Sequence, residues 1–275
     1  MAVPDVQLSR RHQNILERFL SACQADERVV AAFLIGSNAK GKADEHSDLD
    51  LYLVTTDAAF DDFDAGRESF AGLLGEPLFM EDFGSPNILF LIFADGSEVE
   101  IYYTSESRMG GFFNAPYKFL MDKKNITAGI TSSETKVDQA QQTEKLRRLI
   151  HWFWHNLSHF ITALERDQLW WARGQLEELR AGCVGLARLT NNFSDTEVEQ
   201  EVYFKIEDAM PVDSLARLRE TFCPMEREAM LEAASVILNS YKELARPLAQ
   251  AHEIAYPEKL EQIMVERLEK ISEDR

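Results

Sequence analysis

The sequence predicts an α/β (α+β) protein in two parts, a small mixed-sheet domain followed by an all-helical bundle. Before about residue 105, short apolar runs alternate with turn residues. The spacing predicts a helix over 13–23, strands over 29–35 and 49–54, and a helix over 61–74. It then predicts a short strand near 78–80 and two more at 88–93 and 98–104. From Lys136 onward, apolar residues recur at helical spacing near 138–166, 168–190, 197–209, 213–222, 226–253 and 257–272. Pro211, Pro224, Pro247 and Pro257 punctuate these segments, and Pro247 is expected to kink or end its helix. Between the two parts, 109–135 carries Gly110-Gly111, Pro116 and Lys123-Lys124-Asn125, and reads as a connector with at most one short helix.

The most informative stretch runs from Gly36 to Val54. The apolar run 29–35 breaks at Gly36-Ser37, a polar segment with Lys40 and Lys42 follows, and the next strand opens on Asp48-Leu49-Asp50-Leu51. Side chains alternate along a strand, so Asp48, Asp50 and Tyr52 share one face and Leu49, Leu51 and Leu53 the other. Two positions on one face lie roughly 7 Å apart, which lets two carboxylates converge on a magnesium ion. Gly36-Ser37 would set backbone N–H groups and a hydroxyl at a helix start, where phosphate is favoured. Phosphate donors beside paired carboxylates are the parts nucleotidyl transfer needs.

Gly-Ser, a spacer of about ten residues and Asp-x-Asp at a strand start resemble the signature of the polymerase-β-type nucleotidyltransferase superfamily. The longer string through Ala43-Asp44-Glu45-His46-Ser47-Asp48 is similar to that of bacterial aminoglycoside and lincosamide nucleotidyltransferases. The resemblance implies a catalytic domain over 1–108, the connector 109–135, and an acceptor-binding bundle over 136–275. It also implies ATP as donor, Mg²⁺ as cofactor, and transfer of AMP to a hydroxyl of a small antibiotic, with acceptor residues from the bundle or from a second subunit of a homodimer. Gly36, Ser37, Lys40 and Lys42 would then hold the triphosphate, and Asp48 and Asp50 the metal.

The superfamily expects a third carboxylate on a neighbouring strand. Asp95-Gly96 marks a tight hairpin, and the run after it places Glu98, Glu100 and Tyr102 on one face. The triplet Val99-Glu100-Ile101 matches the Val-Glu-Val-like triplet of the kanamycin-type relatives, so the resemblance favours Glu100, with Glu98 second.

Composition narrows the partners. The net charge is −18, and residues 1–135 hold 22 acidic against 11 basic side chains. Basic residues come only in isolated pairs, such as Arg10-Arg11 and Arg147-Arg148, so a polynucleotide would find no cationic stripe. An acidic field attracts polycations instead. No apolar run reaches membrane-spanning length, the N-terminus lacks a signal-peptide pattern, and Cys23, Cys183 and Cys223 have no CxxC spacing, which together predict a cytoplasmic protein with reduced thiols.

In the bundle, His151, His155 and His159 fall on one helix face among Trp152, Phe153 and Trp154. All three imidazoles cannot share a metal, since i and i+8 lie about 12 Å apart along a helix. The expectation is aromatic core, with Trp154 and His155 as candidate acceptor contacts. Two other readings stand beside the transferase: an antitoxin-like protein that adenylylates a partner protein, and a non-catalytic nucleotide-binding module.

Overall fold

The computed structural model describes residues 8–111, 117–128, 139–190 and 202–273. The chain divides into two compact units, Met1–Lys136 and Val137–Arg275.

The first unit is a six-stranded mixed sheet. Its strands are β1 (Val29–Leu34), β2 (Leu49–Thr55), β3 (Pro77–Glu81), β4 (Ile88–Phe93), β5 (Glu98–Ser105) and β6 (Lys118–Asp122), in the order β3-β4-β5-β2-β1-β6. Every adjacent pair is antiparallel except β2–β5. Helices α1 (Arg10–Ala25), α3 (Phe60–Ala65) and α4 (Arg67–Gly72) supply Leu16, Phe19, Phe63 and Phe70 to one face. There they bury Leu49, Leu51, Leu53, Val99, Ile101, Leu89 and Leu91, the apolar sets selected by strand alternation. The opposite face has a smaller core of Val30, Ala31, Phe33, Tyr52 and Val54, and it leaves the β3–β4 end open.

Two local expectations change. The helix expected over 61–74 is a 3-10 turn at Asp57–Ala59 followed by the short α3 and α4, which meet at Gly66. The Gly66 N–H turns back to the carbonyls of Asp62 and Phe63, closing α3 as a helix C-terminus. Within the expected connector 109–135, Lys118–Asp122 is a strand that pairs antiparallel with β1. Five residues beside Pro116 have too little periodicity to announce a strand; the open edge of β1 supplies the hydrogen bonds that make it one.

The second unit is helical: α5 (Gln139–Glu165), α6 (Leu169–Thr190), α7 (Ile206–Ala209), α8 (Val212–Glu220), α9 (Arg227–Ala251) and α10 (Glu258–Glu273). Most of the helix expected over 197–209 lies outside the described residues. Helix α9 continues through Pro247 to Ala251, where its buried residues Ala245 and Ala249 flank the proline. A proline forfeits one backbone bond, and here packing on both sides of it outweighs that loss.

The α5 aromatics separate by face. Phe153 stacks on Tyr241 of α9 at 3.6 Å between ring centroids, Trp154 packs edge-on against the same ring at 5.3 Å, and the Tyr241 hydroxyl donates to the Ile150 carbonyl at 3.0 Å. Trp152, His155 and His151 point outward and are exposed. Trp154 is only 1% exposed, so the expectation that it contacts an acceptor is corrected: its ring surface is spent on the bundle core. Trp154→Ala should therefore cost about 3–5 kcal/mol of stability, the usual range for deleting a core Trp or Phe. Urea unfolding followed by circular dichroism checks this.

Candidate functional site

Parallel pairing of β2 with β5 sets Asp50 directly beside Glu100, and Tyr52 beside Tyr102. Residues opposite each other in a ladder project to the same side, so Asp50, Glu100 and Tyr102 share the sheet face opposite helices α1, α3 and α4. Asp48 lies just before β2. Tyr102 reports how close these groups come. Its hydroxyl donates to Glu100 Oε2 at 2.5 Å. Burial first, then that bond, then the charges of Glu100, Asp50 and Asp48 raise the phenol above its ordinary pKa. All three expected carboxylates therefore bear on one phenol.

The turn between β1 and β2 is shaped around Asp50. Gly36 has φ +64°, and a Cβ placed on it would stand 1.7 Å from Asp50 Oδ2. Glycine is required twice over, by backbone conformation and by the approach of the carboxylate. The Ile35 N–H donates to the Asp50 carbonyl at 3.1 Å, fixing where the chain leaves β1. Asn38, buried within the single-turn helix α2 (Gly36–Lys40), donates from Nδ2 to the Asp48 carbonyl at 2.8 Å. Nothing in its spacing marked Asn38 as the residue that holds the Asp48 backbone.

Ser37 follows Gly36, and its Oγ is buried without a hydrogen-bond partner among the described residues. A buried hydroxyl left unpaired is costly and points to a missing partner. Helix α2 has only five residues, so its dipole is small. The first N–H groups of the turn and the Ser37 hydroxyl are the donors that remain. Lys40 sits in the last turn of α2, and Lys42 is exposed beyond Gly41.

Two residues of α1 reach the same end of the sheet and carried no signal in the sequence. Arg11 donates to the carbonyls of Glu45 (3.2 Å) and Asp95 (3.3 Å), one in the loop before β2 and one in the hairpin before β5. His12 is buried, with Nε2 unpartnered among the described residues. Burial and then Arg11 lower its pKa, while Asp48 and Asp95 oppose the shift. The hairpin itself is as the Asp-Gly signal predicts, with Gly96 at φ +76° and its N–H on the Phe93 carbonyl.

The carboxylates are hard oxygen donors of the kind Mg²⁺ takes. Among the described residues no three His, Cys, Asp or Glu side chains form a group able to hold a metal ion by themselves. His155 stacks on Trp152 at 4.7 Å and meets His159 at 4.1 Å, a surface cluster of the helical unit.

The Gly36 geometry makes a direct prediction. Gly36→Ala should drive the Asp50 carboxylate out of position and lower catalytic turnover by at least 100-fold, with a modest fall in Tm. Steady-state turnover and differential scanning calorimetry on the purified variant check this, and retained turnover would mean that the approach to Asp50 is immaterial.

Among the described residues, no helix is long and apolar enough to cross a membrane. No curated protein sequence matches the chain. It is similar in structure to an aminoglycoside 6-adenyltransferase from Bacillus subtilis, at 14% identity and a TM-score of 0.46 over 96% of this chain and 99% of that one. It is also similar to a STING-associated CdnE c-di-GMP synthase from Capnocytophaga granulosa, at 12% identity and a TM-score of 0.31 over 96% of this chain and 80% of that one. A CCA-adding enzyme solved with CTP is similar at 13% identity and a TM-score of 0.31, over 97% of this chain and 83% of that one. The family model described as streptomycin adenylyltransferase matches residues 9–271, nearly the whole chain, so the protein belongs to that family of adenylyltransferases.

Proposed function

We propose that this protein transfers AMP from ATP to a hydroxyl of a compact polyhydroxylated small molecule, foremost an aminoglycoside and next a lincosamide. The observation that carries the reading is the register pair Asp50 and Glu100, with Gly36 closed against Asp50 and the next residue, Ser37, holding a buried hydroxyl unpartnered among the described residues. A pure nucleotide-binding module needs no third acid.

Each part then has a task. Ser37 Oγ and the first N–H groups of α2 hold the β- and γ-phosphates, with Lys40 and Lys42 neutralising them. Asp48 and Asp50 would hold Mg²⁺ together with the triphosphate, and Glu100 would complete the set. The ion, when bound, supplies charge stabilisation at the transferring phosphoryl group. Asn38 and Arg11 fix the backbone from which these carboxylates project. Glu100 accepts the proton of the attacking hydroxyl, and Tyr102 orients its carboxylate beforehand. The hydroxyl attacks the α-phosphorus from the side opposite the departing pyrophosphate.

The acceptor class follows from charge. The first 135 residues carry 22 acidic and 11 basic groups, which disfavours a polyanion and favours a cationic acceptor. Affinity for such an acceptor should fall as salt rises, because screening shortens the reach of surface charge to about 8 Å at physiological ionic strength. Pyrophosphate release over a panel of aminoglycosides and lincosamides, at low and high salt, tests this. Modification of a protein or an oligonucleotide in place of every panel member would sink the antibiotic reading and leave only an adenylyltransferase.

Two variants test the machinery. Asp48→Asn or Asp50→Asn should abolish transfer by several orders of magnitude, while stability without metal holds or rises slightly as like-charge repulsion is relieved. Near-wild-type turnover in either variant would refute the metal assignment. Ser37→Ala should weaken Mg-ATP binding by about 1–2 kcal/mol, the range for a hydrogen bond to a charged group. Titration calorimetry measures it, and an unchanged affinity would mean that Gly36-Ser37 is only a turn.

A further inference from the structure

The sheet face that carries Asp50 and Glu100 continues past them onto an aromatic surface. Antiparallel pairing sets Phe90 of β4 opposite Glu100 and Ile92 opposite Glu98. On the next strand, Phe79 and Glu81 of β3 lie opposite Ile92 and Phe90. All of these side chains project from the same face as Asp50. Phe83, in the turn after β3, folds back to 5.9 Å from the Phe79 ring and 5.4 Å from the Phe90 ring. The shelf is open: Phe83 is 67% exposed, Phe79 39% and Ile92 38%. A contiguous exposed apolar patch of this kind usually marks a binding surface.

The turn is built to hold Phe83 there. Phe83 has φ +53°, a conformation that bulky residues rarely adopt. Glu81 Oε1 accepts the N–H groups of Asp82 and Phe83, Asp82 Oδ1 accepts that of Gly84 at 2.8 Å, and Arg67 pairs with Asp82 at 2.9 Å. A backbone strained in this way, and braced by its own side chains, holds an exposed ring that no apolar core demands.

We propose that Phe79, Phe83 and Phe90 form the stacking shelf for the acceptor molecule, the edge acids Glu81 and Glu98 receiving its cationic groups. The proposal rests on the transferase reading and names its acceptor subsite. Direction selects this occupant. In the sheet order, Gly36-Ser37 leaves from β1 on one side of the Asp50–Glu100 pair, while β4 and β3 lie on the other. In-line displacement requires the attacking hydroxyl on the side away from the departing pyrophosphate. With the triphosphate anchored at Ser37, the acceptor approaches over β5 and β4. The charged side chains set among the rings in these ladders, Glu81, Glu98 and Glu100, are all acidic, complementary to a polycation. The C–H faces of sugar rings match flat aromatic rings, and the Phe rings supply that surface.

The test compares Phe83→Ala, Phe79→Ala, Phe83→Leu and Phe83→Tyr with the wild type, using the best aminoglycoside or lincosamide acceptor of the panel. Both residues are exposed, so the fold should hold, with Tm as the check. For either alanine variant, kcat/KM for the acceptor should fall at least tenfold, chiefly through KM, with the Kd for Mg-ATP unchanged. Phe83→Tyr should stay within threefold of wild type, and Phe83→Leu should behave like alanine, since a ring is what is needed. Alanine variants that keep kcat/KM within twofold on an active wild type would overturn the shelf and leave the transferase standing. Weakened Mg-ATP binding in place of the acceptor effect would assign the rings to adenine and overturn it too. Conversion of a wild-type dimer to a monomer by Phe83→Ala in light scattering, with acceptor kinetics unchanged, would assign the rings to a second copy and overturn it as well. A wild type that modifies no acceptor overturns both readings together.

Discussion

Two carboxylates on neighbouring strands repel, and the β2–β5 ladder holds Asp50 and Glu100 side by side despite it. Neighbouring strands lie about 4.8 Å apart, so the two acids project into the same small volume. Behind them, the same two strands bury Leu49, Leu51 and Leu53 against Val99, Ile101 and Tyr103. Each buried leucine contributes about 1.5–3 kcal/mol toward holding that pairing. The apolar face of each strand thus secures the acidic face. Site and core are two sides of one ladder, and a change that slips its register would cost both.

The rest of the site is organised around the position this ladder sets for Asp50. Gly36 has no side chain because the Asp50 carboxylate occupies the space one would need. The next residue, Ser37, keeps its Oγ buried with no hydrogen-bond partner among the described residues. Asn38 ties the same turn to the backbone of Asp48, and Arg11 reaches the loops before β2 and β5. The hydrogen bond from Tyr102 to Glu100 keeps one carboxylate occupied and oriented.

The helical unit obeys a plainer constraint. Its core is an aromatic and aliphatic seam in which Phe153, Trp154 and Tyr241 pack together, and the Tyr241 hydroxyl is satisfied by a backbone carbonyl of α5. The alternative for Trp154, a wall position in a pocket, would need the same ring surface twice. His155 and Trp152, one helical turn apart on the outer face, stay exposed and stack on each other.

By itself the sequence determined the class of the fold and most of its elements, and it singled out Asp50 and Glu100, which the β2–β5 register sets side by side. Strand alternation and turn chemistry are local, so β1, β2, β4, β5 and the Asp95-Gly96 hairpin could be read directly. The Gly36 to Asp50 string is contiguous enough to carry a family resemblance. Only the tertiary structure decided which strands pair, and in what register. That β5 lies parallel to β2 with Glu100 opposite Asp50, that Lys118–Asp122 completes the β1 edge, and that Phe83 folds back over Phe90 all depend on partners distant in sequence. The same holds for Trp154 and Trp152: their local pattern is identical in kind, and only packing against α9 buries one and leaves the other exposed. Periodicity states which residues share a face; what that face meets is set by burial and hydrogen bonding summed over the folded chain.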